Sequence, residues 1–134
     1  MKKRILIADD EVCWLSSHKE ILDASFFDMF EIDFASSAEE ALQALNDNVP
    51  DLLITDLQME EVENESCAGE YLIKKVKQKY NNVKIIIVSG APDIERIAER
   101  NSVEKYVPKW ALMNYPFALE MSVSEVLNIK IKKC

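Results

Sequence analysis

No apolar run in this 134-residue chain approaches the ~20 consecutive residues that a membrane-spanning helix needs. The opening MKKRILIADDE does not serve as a secretion signal either, because its apolar segment is short and acids follow at once. Cysteine is scarce: Cys13, Cys67 and Cys134 are an odd number at wide, irregular spacing. They make neither a metal-ligand pattern nor a disulfide framework, which suits a reducing, cytoplasmic setting. Positive charge is in deficit, with 16 Lys and Arg against 24 Asp and Glu and a net charge of −8. That balance argues against the domain binding a nucleic-acid backbone directly. Lys74, Lys75, Lys77, Lys79 and the tail KIKKC read as a solvated helix face and a frayed terminus. No repeat, linker or low-complexity tract interrupts the chain, so residues 1–134 are expected to form one domain, with no second domain within this chain.

What is present is apolar material for a sizeable core, 49% of the residues, mixed with charge of both signs. Five short runs predict strands: 4–8 (RILIA), 30–34 (FEIDF), 52–55 (LLIT), 84–88 (KIIIV) and 104–107 (EKYV). The first, third and fourth are continuous in Ile, Leu and Val, as central strands of a parallel sheet buried on both faces must be. Helix-period stripes alternate with them. Trp14, Leu15, His18, Ile21 and Leu22 form one, and Ala38, Ala41, Leu42 and Leu45 a second, with Ser36–Glu39 or Ser37–Glu40 as a capping box. Leu72, Ile73, Val76 and Tyr80 make a third, and 94–100 a shorter fourth. A fifth begins near Asn114–Pro116 and carries Leu119, Val123, Val126 and Leu127. Strand and helix alternating in this way predict an α/β doubly wound (βα)5 three-layer sandwich around a central five-stranded parallel sheet.

In such a sheet ligands bind beyond the carboxyl ends of the strands, where strand order reverses. Asp9, Asp10 and Glu11 follow the first strand, Asp56 the third, Ser89 and Gly90 the fourth, and Lys109 the fifth. Carboxylates gathered at one rim suit Mg²⁺, which takes one or two of them and completes its shell with waters and phosphate oxygens. A serine hydroxyl and an ammonium beside it suit the oxygens of a phosphoryl group. Neutralisation and positioning are nearly all that phosphoryl transfer asks of a protein.

The same residues resemble the response-regulator receiver domains of two-component signalling, which have the flavodoxin-like fold. ILIADDE is similar to their acidic pair, PDLLITDLQM to the phosphoacceptor strand, IIIVSG to the hydroxyl strand and KYVPK to the strand carrying the switch aromatic and the lysine. These motifs come in order over nearly the whole chain. The resemblance implies that Asp56 is the phosphoacceptor, a carboxylate nucleophile forming an acyl phosphate. It implies Mg²⁺ held by Asp10, Asp56 and the backbone carbonyl of Gln58, with Asp9 on a metal-bound water. It makes Ser89 and Lys109 partners of the phosphoryl oxygens and Tyr106 the aromatic that turns inward on activation. Gln58 and Gly90 fall at the positions that tune loss of the phosphoryl group. The implied partners are a histidine kinase or histidine phosphotransfer protein as donor and a downstream protein or output domain. The signalling face is the fourth helix, fifth strand and final helix.

Three features depart from the family pattern or compete with it. Trp110 stands where a proline, commonly with a cis bond, usually follows the lysine. A non-proline cis bond costs about 2.5–4 kcal/mol, so a trans bond and a different turn are expected. The DLQME stretch lacks the family's proline and its glycine arrives late, at Gly69, implying a longer loop with Glu60, Glu61, Glu63 and Glu65. A solvated acidic loop is the plainest reading of it. His18, on an apolar stripe, reads as a packing residue. Two other functions fit parts of the pattern: a degenerate receiver acting as a phosphorylation-independent docking or dimerisation module, and an aspartyl-intermediate phosphohydrolase. Hydrolases of that kind carry a second Asp two residues after the nucleophile, a place held here by Gln58.

Overall fold

The computed structural model describes residues 2–59 and 67–131. The β-branched runs become β1 (Lys3–Ala8), β2 (Phe30–Ala35), β3 (Leu52–Thr55), β4 (Lys84–Ser89) and β5 (Lys105–Pro108). All pair in parallel, in the order β2-β1-β3-β4-β5. From β1 the chain winds outward to β2, then returns past β1 to β3 and continues in the other direction. The topological switch point therefore lies between β1 and β3, and this is the doubly wound sandwich that the alternating pattern predicts.

Burial follows strand position. Every residue of β3 is buried, whereas the edge strands β2 and β5 alternate or are half-exposed. Because successive side chains point to opposite faces, each central strand feeds two cores. Leu6, Leu53, Ile85 and Ile87 face α2 (Ala38–Asp47), α3 (Ala68–Lys79) and α4 (Ile94–Arg100), packing with Leu45, Leu72, Val76 and Ile97. Ile5, Ile7, Leu52, Ile54, Ile86 and Val88 face α1 (Val12–Phe26) and α6 (Ala118–Leu127), packing with Leu15, Leu22, Phe26, Leu119 and Val123. Truncating one such fully buried leucine to alanine costs about 2–5 kcal/mol, so the central strands are held rigidly and so is whatever stands at their ends.

Local signals act as their chemistry suggests. Ser37 is the N-cap of α2, its Oγ accepting the Glu40 N–H at 3.1 Å, while Ser36 Oγ donates to the Glu40 carboxylate at 3.0 Å. Two elements go beyond the periodic reading. A 3₁₀ turn spans Phe27–Met29, and a short helix, α5 (Lys109–Asn114), precedes the last helix, which starts at Ala118. Helix α5 buries only Ala111, so it has no apolar stripe that a periodicity search would register. No peptide bond among the described residues is cis, and the Lys109–Trp110 bond is trans as expected. No helix among them is long and apolar enough to cross a membrane. The acidic residues Glu60, Glu61, Glu63 and Glu65 lie outside the described residues.

Candidate functional site

At the C-terminal rim the sheet register sets the spacing of the polar groups. Ala8 pairs with Thr55, so Asp9 and Asp56 are the next residues out on neighbouring strands. Ser89 pairs with Pro108, which places Lys109 one residue beyond the serine on the adjoining strand. Backbone bonds fix the first pair: Asp9 N–H donates to Ala35 O at 3.0 Å, and Asp56 N–H to Ala8 O at 2.9 Å. Asp9, Asp56 and Ser89 are all buried, at 1%, 3% and 0% exposure, and Asp10 is exposed beside them.

The side chains converge. Carboxylate oxygens of Asp9, Asp10 and Asp56 all lie within 4.8 Å of one another. The ammonium of Lys109 sits between two of them, donating to Asp56 Oδ2 at 2.9 Å and ion-paired with Asp9 Oδ2 at 3.0 Å. Asp56 Oδ1 accepts the N–H of Gln58 at 3.1 Å, and Asp9 Oδ1 accepts that of Glu11 at 2.9 Å. Glu11 itself is the exposed N-cap residue of α1, and its side chain makes no cap bond. Ser89 Oγ accepts the N–H of Ala91 at 3.2 Å and keeps its own proton free to donate.

Lysine reaches the pocket without a proline turn because it opens helix α5. Pro108 is extended, with φ −61° and ψ 140°, and the helical Cα–Cβ bond of Lys109 tilts back toward the helix start, which faces the rim. Gly69, at the start of α3, passes close under the backbone of Asp56 and Leu57. A Cβ there would lie 2.3 Å from Asp56 O and 2.4 Å from Leu57 Cα, so only glycine fits. At the mouth Gln58 and Gly90 face one another: a Cβ on Gly90 would come 3.7 Å from Gln58 Oε1, which is ordinary contact. Tyr106 lies on edge strand β5 and is 36% exposed.

Electrostatics single out the buried pair. Burial raises the pKa of Asp9 above the ordinary aspartate value, outweighing the Glu11 N–H and the Lys109 ammonium that pull it down. Burial also works against the Lys109 ammonium, but its bonds to Asp56 and Asp9 win and hold its pKa above the ordinary lysine value. Three carboxylates against one ammonium leave two negative charges uncompensated, the charge of one divalent cation. Hard carboxylate oxygens gathered at one rim suit Mg²⁺, which takes one or two carboxylates and completes its shell with waters and phosphate oxygens.

Two neighbours of this site were not readable as such in the chain. The indole of Trp14, on the first turn of α1, lies under the Lys109 ammonium at 4.8 Å from Nζ to the ring centroid. His18, one turn further on, is 1% exposed and 5.8 Å from the Trp14 ring, confirming it as a packed residue but placing it beside the charged cluster. Their helical spacing was visible; their nearness to a lysine at the far end of the chain depends on the fold.

A family model described as the response regulator receiver domain matches residues 5–110. No curated protein matches the chain. Among solved structures, a CheY-like receiver domain protein from Methanospirillum hungatei is 26% identical, with a TM-score of 0.78 over 96% of this chain and 95% of its own. The response regulator TrrA from Thermotoga maritima, solved with Mg²⁺ and BeF, is 28% identical, with a TM-score of 0.74 over 94% of this chain and 99% of its own. The isolated receiver domain of RcsB from Salmonella enterica, at 20% identity, has the same fold with a TM-score of 0.78 over 100% and 94%. With its sheet order, its rim of carboxylates and a family match over most of its length, the chain belongs to the response regulator receiver domain family.

Proposed function

We propose that this receiver is a working phosphoryl switch, with Asp56 as the phosphoacceptor and a histidine kinase or histidine phosphotransfer protein as the donor. The observation that carries the reading is the Lys109 ammonium lying 2.9 Å from Asp56 and 3.0 Å from Asp9 in a cluster of three carboxylates. Asp56 attacks the phosphorus of a phosphohistidine, the P–N bond breaks, and its electron pair goes to the leaving imidazole nitrogen. An acyl phosphate on Asp56 results. Asp10, Asp56 and the Gln58 carbonyl would hold Mg²⁺, with Asp9 on one of its waters, and the bound cation would neutralise charge on the transferring group. Lys109 takes one phosphoryl oxygen and the free hydroxyl proton of Ser89 another.

Movement of Ser89 toward the phosphoryl group opens space into which Tyr106 turns, changing the face made by α4, β5 and α6 that a downstream partner or output domain reads. Attack of water on phosphorus breaks the P–O bond to Asp56, releases inorganic phosphate and resets the switch. Gly90 leaves the mouth open to donor and water alike, and Gln58 borders it. Lys109 in place counts against a purely degenerate docking module, and Gln58 offers no acid or base for a turnover phosphohydrolase.

The test is intact-mass analysis after incubation with Mg²⁺ and a small acyl-phosphate donor. One phosphoryl adduct is expected on the wild type, decaying over time, with none on Asp56→Asn. An unlabelled wild type under conditions that label other receivers would sink the switch in favour of a docking role. Rapid multiple turnover of a phosphoester would instead make it a hydrolase.

A further inference from the structure

We infer that Trp14 is a positioning residue for Lys109, holding the ammonium where a proline turn is missing; the inference rests on Asp56 being the phosphoacceptor. Trp110, which occupies the place after the lysine, does nothing for the pocket. It is 58% exposed and packs edge-on against Tyr115 at 5.7 Å. The backbone around Lys109 is a six-residue helix with one buried side chain, a weak anchor for a long flexible side chain. Restraint must therefore come from the ammonium's own surroundings.

Two of these are the carboxylates of Asp9 and Asp56; the third is the face of Trp14, 4.8 Å from Nζ. A cation over an indole face is attracted by the ring quadrupole, most strongly where water is excluded. Here the lysine side chain is only 13% exposed. The ring is itself fixed: α1 is pinned by buried Leu15, Leu22 and Phe26, and the buried His18 ring supports the indole at i+4. The carboxylate contacts are directional, but the attraction of a ring face varies little as the cation slides across it. When Asp56 becomes an acyl phosphate its charge passes outward to the phosphoryl oxygens. Lys109 can then follow that charge over Trp14 without being released to water, and it is kept from settling on Asp9 alone.

The experiment measures labelling rate against acyl-phosphate concentration in four variants. Trp14→Leu is expected to lower the maximal rate five- to thirty-fold while half-saturation stays within about twofold, because the lysine acts on the group in transfer and not on donor capture. Trp14→Phe, which keeps a ring face, should retain most of the rate. In a Lys109→Met background, adding Trp14→Leu should change nothing further. A Trp14→Leu protein as fast as the wild type, or one that slows the Lys109→Met background equally, overturns the proposal while leaving the phosphoacceptor intact. A wild type that takes no phosphoryl group removes that reading and this one with it. One measurement needs no variant: proton resonances of the Lys109 ε-methylene in the wild type should lie upfield, shielded by the indole, and their appearance at ordinary positions would refute the contact.

Discussion

His18 shows how one residue can be legible in type and illegible in consequence. Its place on the apolar stripe of α1 marks it as packed, and it is 1% exposed. Its charge state, however, is set by burial first and then by the Lys109 ammonium across the fold, and together they lower its pKa from 6.5 to about 4. The imidazole is therefore neutral at pH 7, and its buried Nδ1 has no hydrogen-bond partner. A base whose folded pKa is depressed is fully compatible with the fold above pH 6.5. As pH falls from 6.5 toward 4 the unfolded chain gains a proton that the folded chain refuses, and stability is lost. His18→Leu should thus stabilise the domain modestly at pH 8 and by about 2 kcal/mol more at pH 5. Urea denaturation at the two pH values checks this; parallel curves for wild type and variant would mean that His18 is charged in the fold.

At the scale of elements, α3 and α4 are joined by one polar cluster. Glu70, in the first turn of α3, accepts from Arg100 Nε at 2.6 Å and Nη2 at 2.5 Å, and from Asn101 Nδ2 at 2.6 Å. Arg100 is the last residue of α4, so an acid at a helix start meets a base at a helix end, and each favours its own helix dipole. The Arg100 hydrogen bonds are the main reason the Glu70 carboxyl is held down at about 2. Because the folded pKa lies below the unfolded one, this contribution is present above about pH 4.5 and is lost as pH falls toward 2. With Arg100 half-exposed the pair is partly screened, and Glu70→Gln should cost about 1–2 kcal/mol at pH 7. Acid unfolding followed by circular dichroism should be shallower in the variant between pH 4.5 and 2; an unchanged acid limb would show the cluster to be incidental. The elements it joins were readable from periodicity, α3 from the stripe of Leu72, Ile73, Val76 and Tyr80 and α4 from 94–100. Helix α5 was not, since six residues with a single buried position carry no period, and without α5 the route by which Lys109 reaches Asp56 could not be drawn.

For the whole molecule, the fold was legible because the alternation of strand and helix runs through the entire chain, and parallel topology then brings the strand ends together whatever the loops do. The site's charge balance follows from that convergence. A chain with a net charge of −8 buries Asp9 and Asp56 beside one lysine and sets Asp10 at the mouth. Without a cation this arrangement is a liability. The folded pKa of Asp9 is raised, so the folded state holds the proton more tightly than the unfolded one, and stability falls as pH rises through that window. Burial therefore works against folding wherever the Asp9 carboxylate is ionised. Asp9→Asn should melt above the wild type in a chelator at pH 7, by the ~3–5 °C that each kcal/mol is worth in a domain of this size. Added Mg²⁺ should reverse the order. The wild type gains about 2.7 kcal/mol at one hundred times its dissociation constant, and the variant, with one carboxylate fewer around the cation, gains less. Differential scanning fluorimetry with and without Mg²⁺ reads both effects. A variant less stable than the wild type in the chelator would mean that the Lys109 ion pair outweighs the burial of Asp9, and that the acidic pair stabilises the fold without any metal.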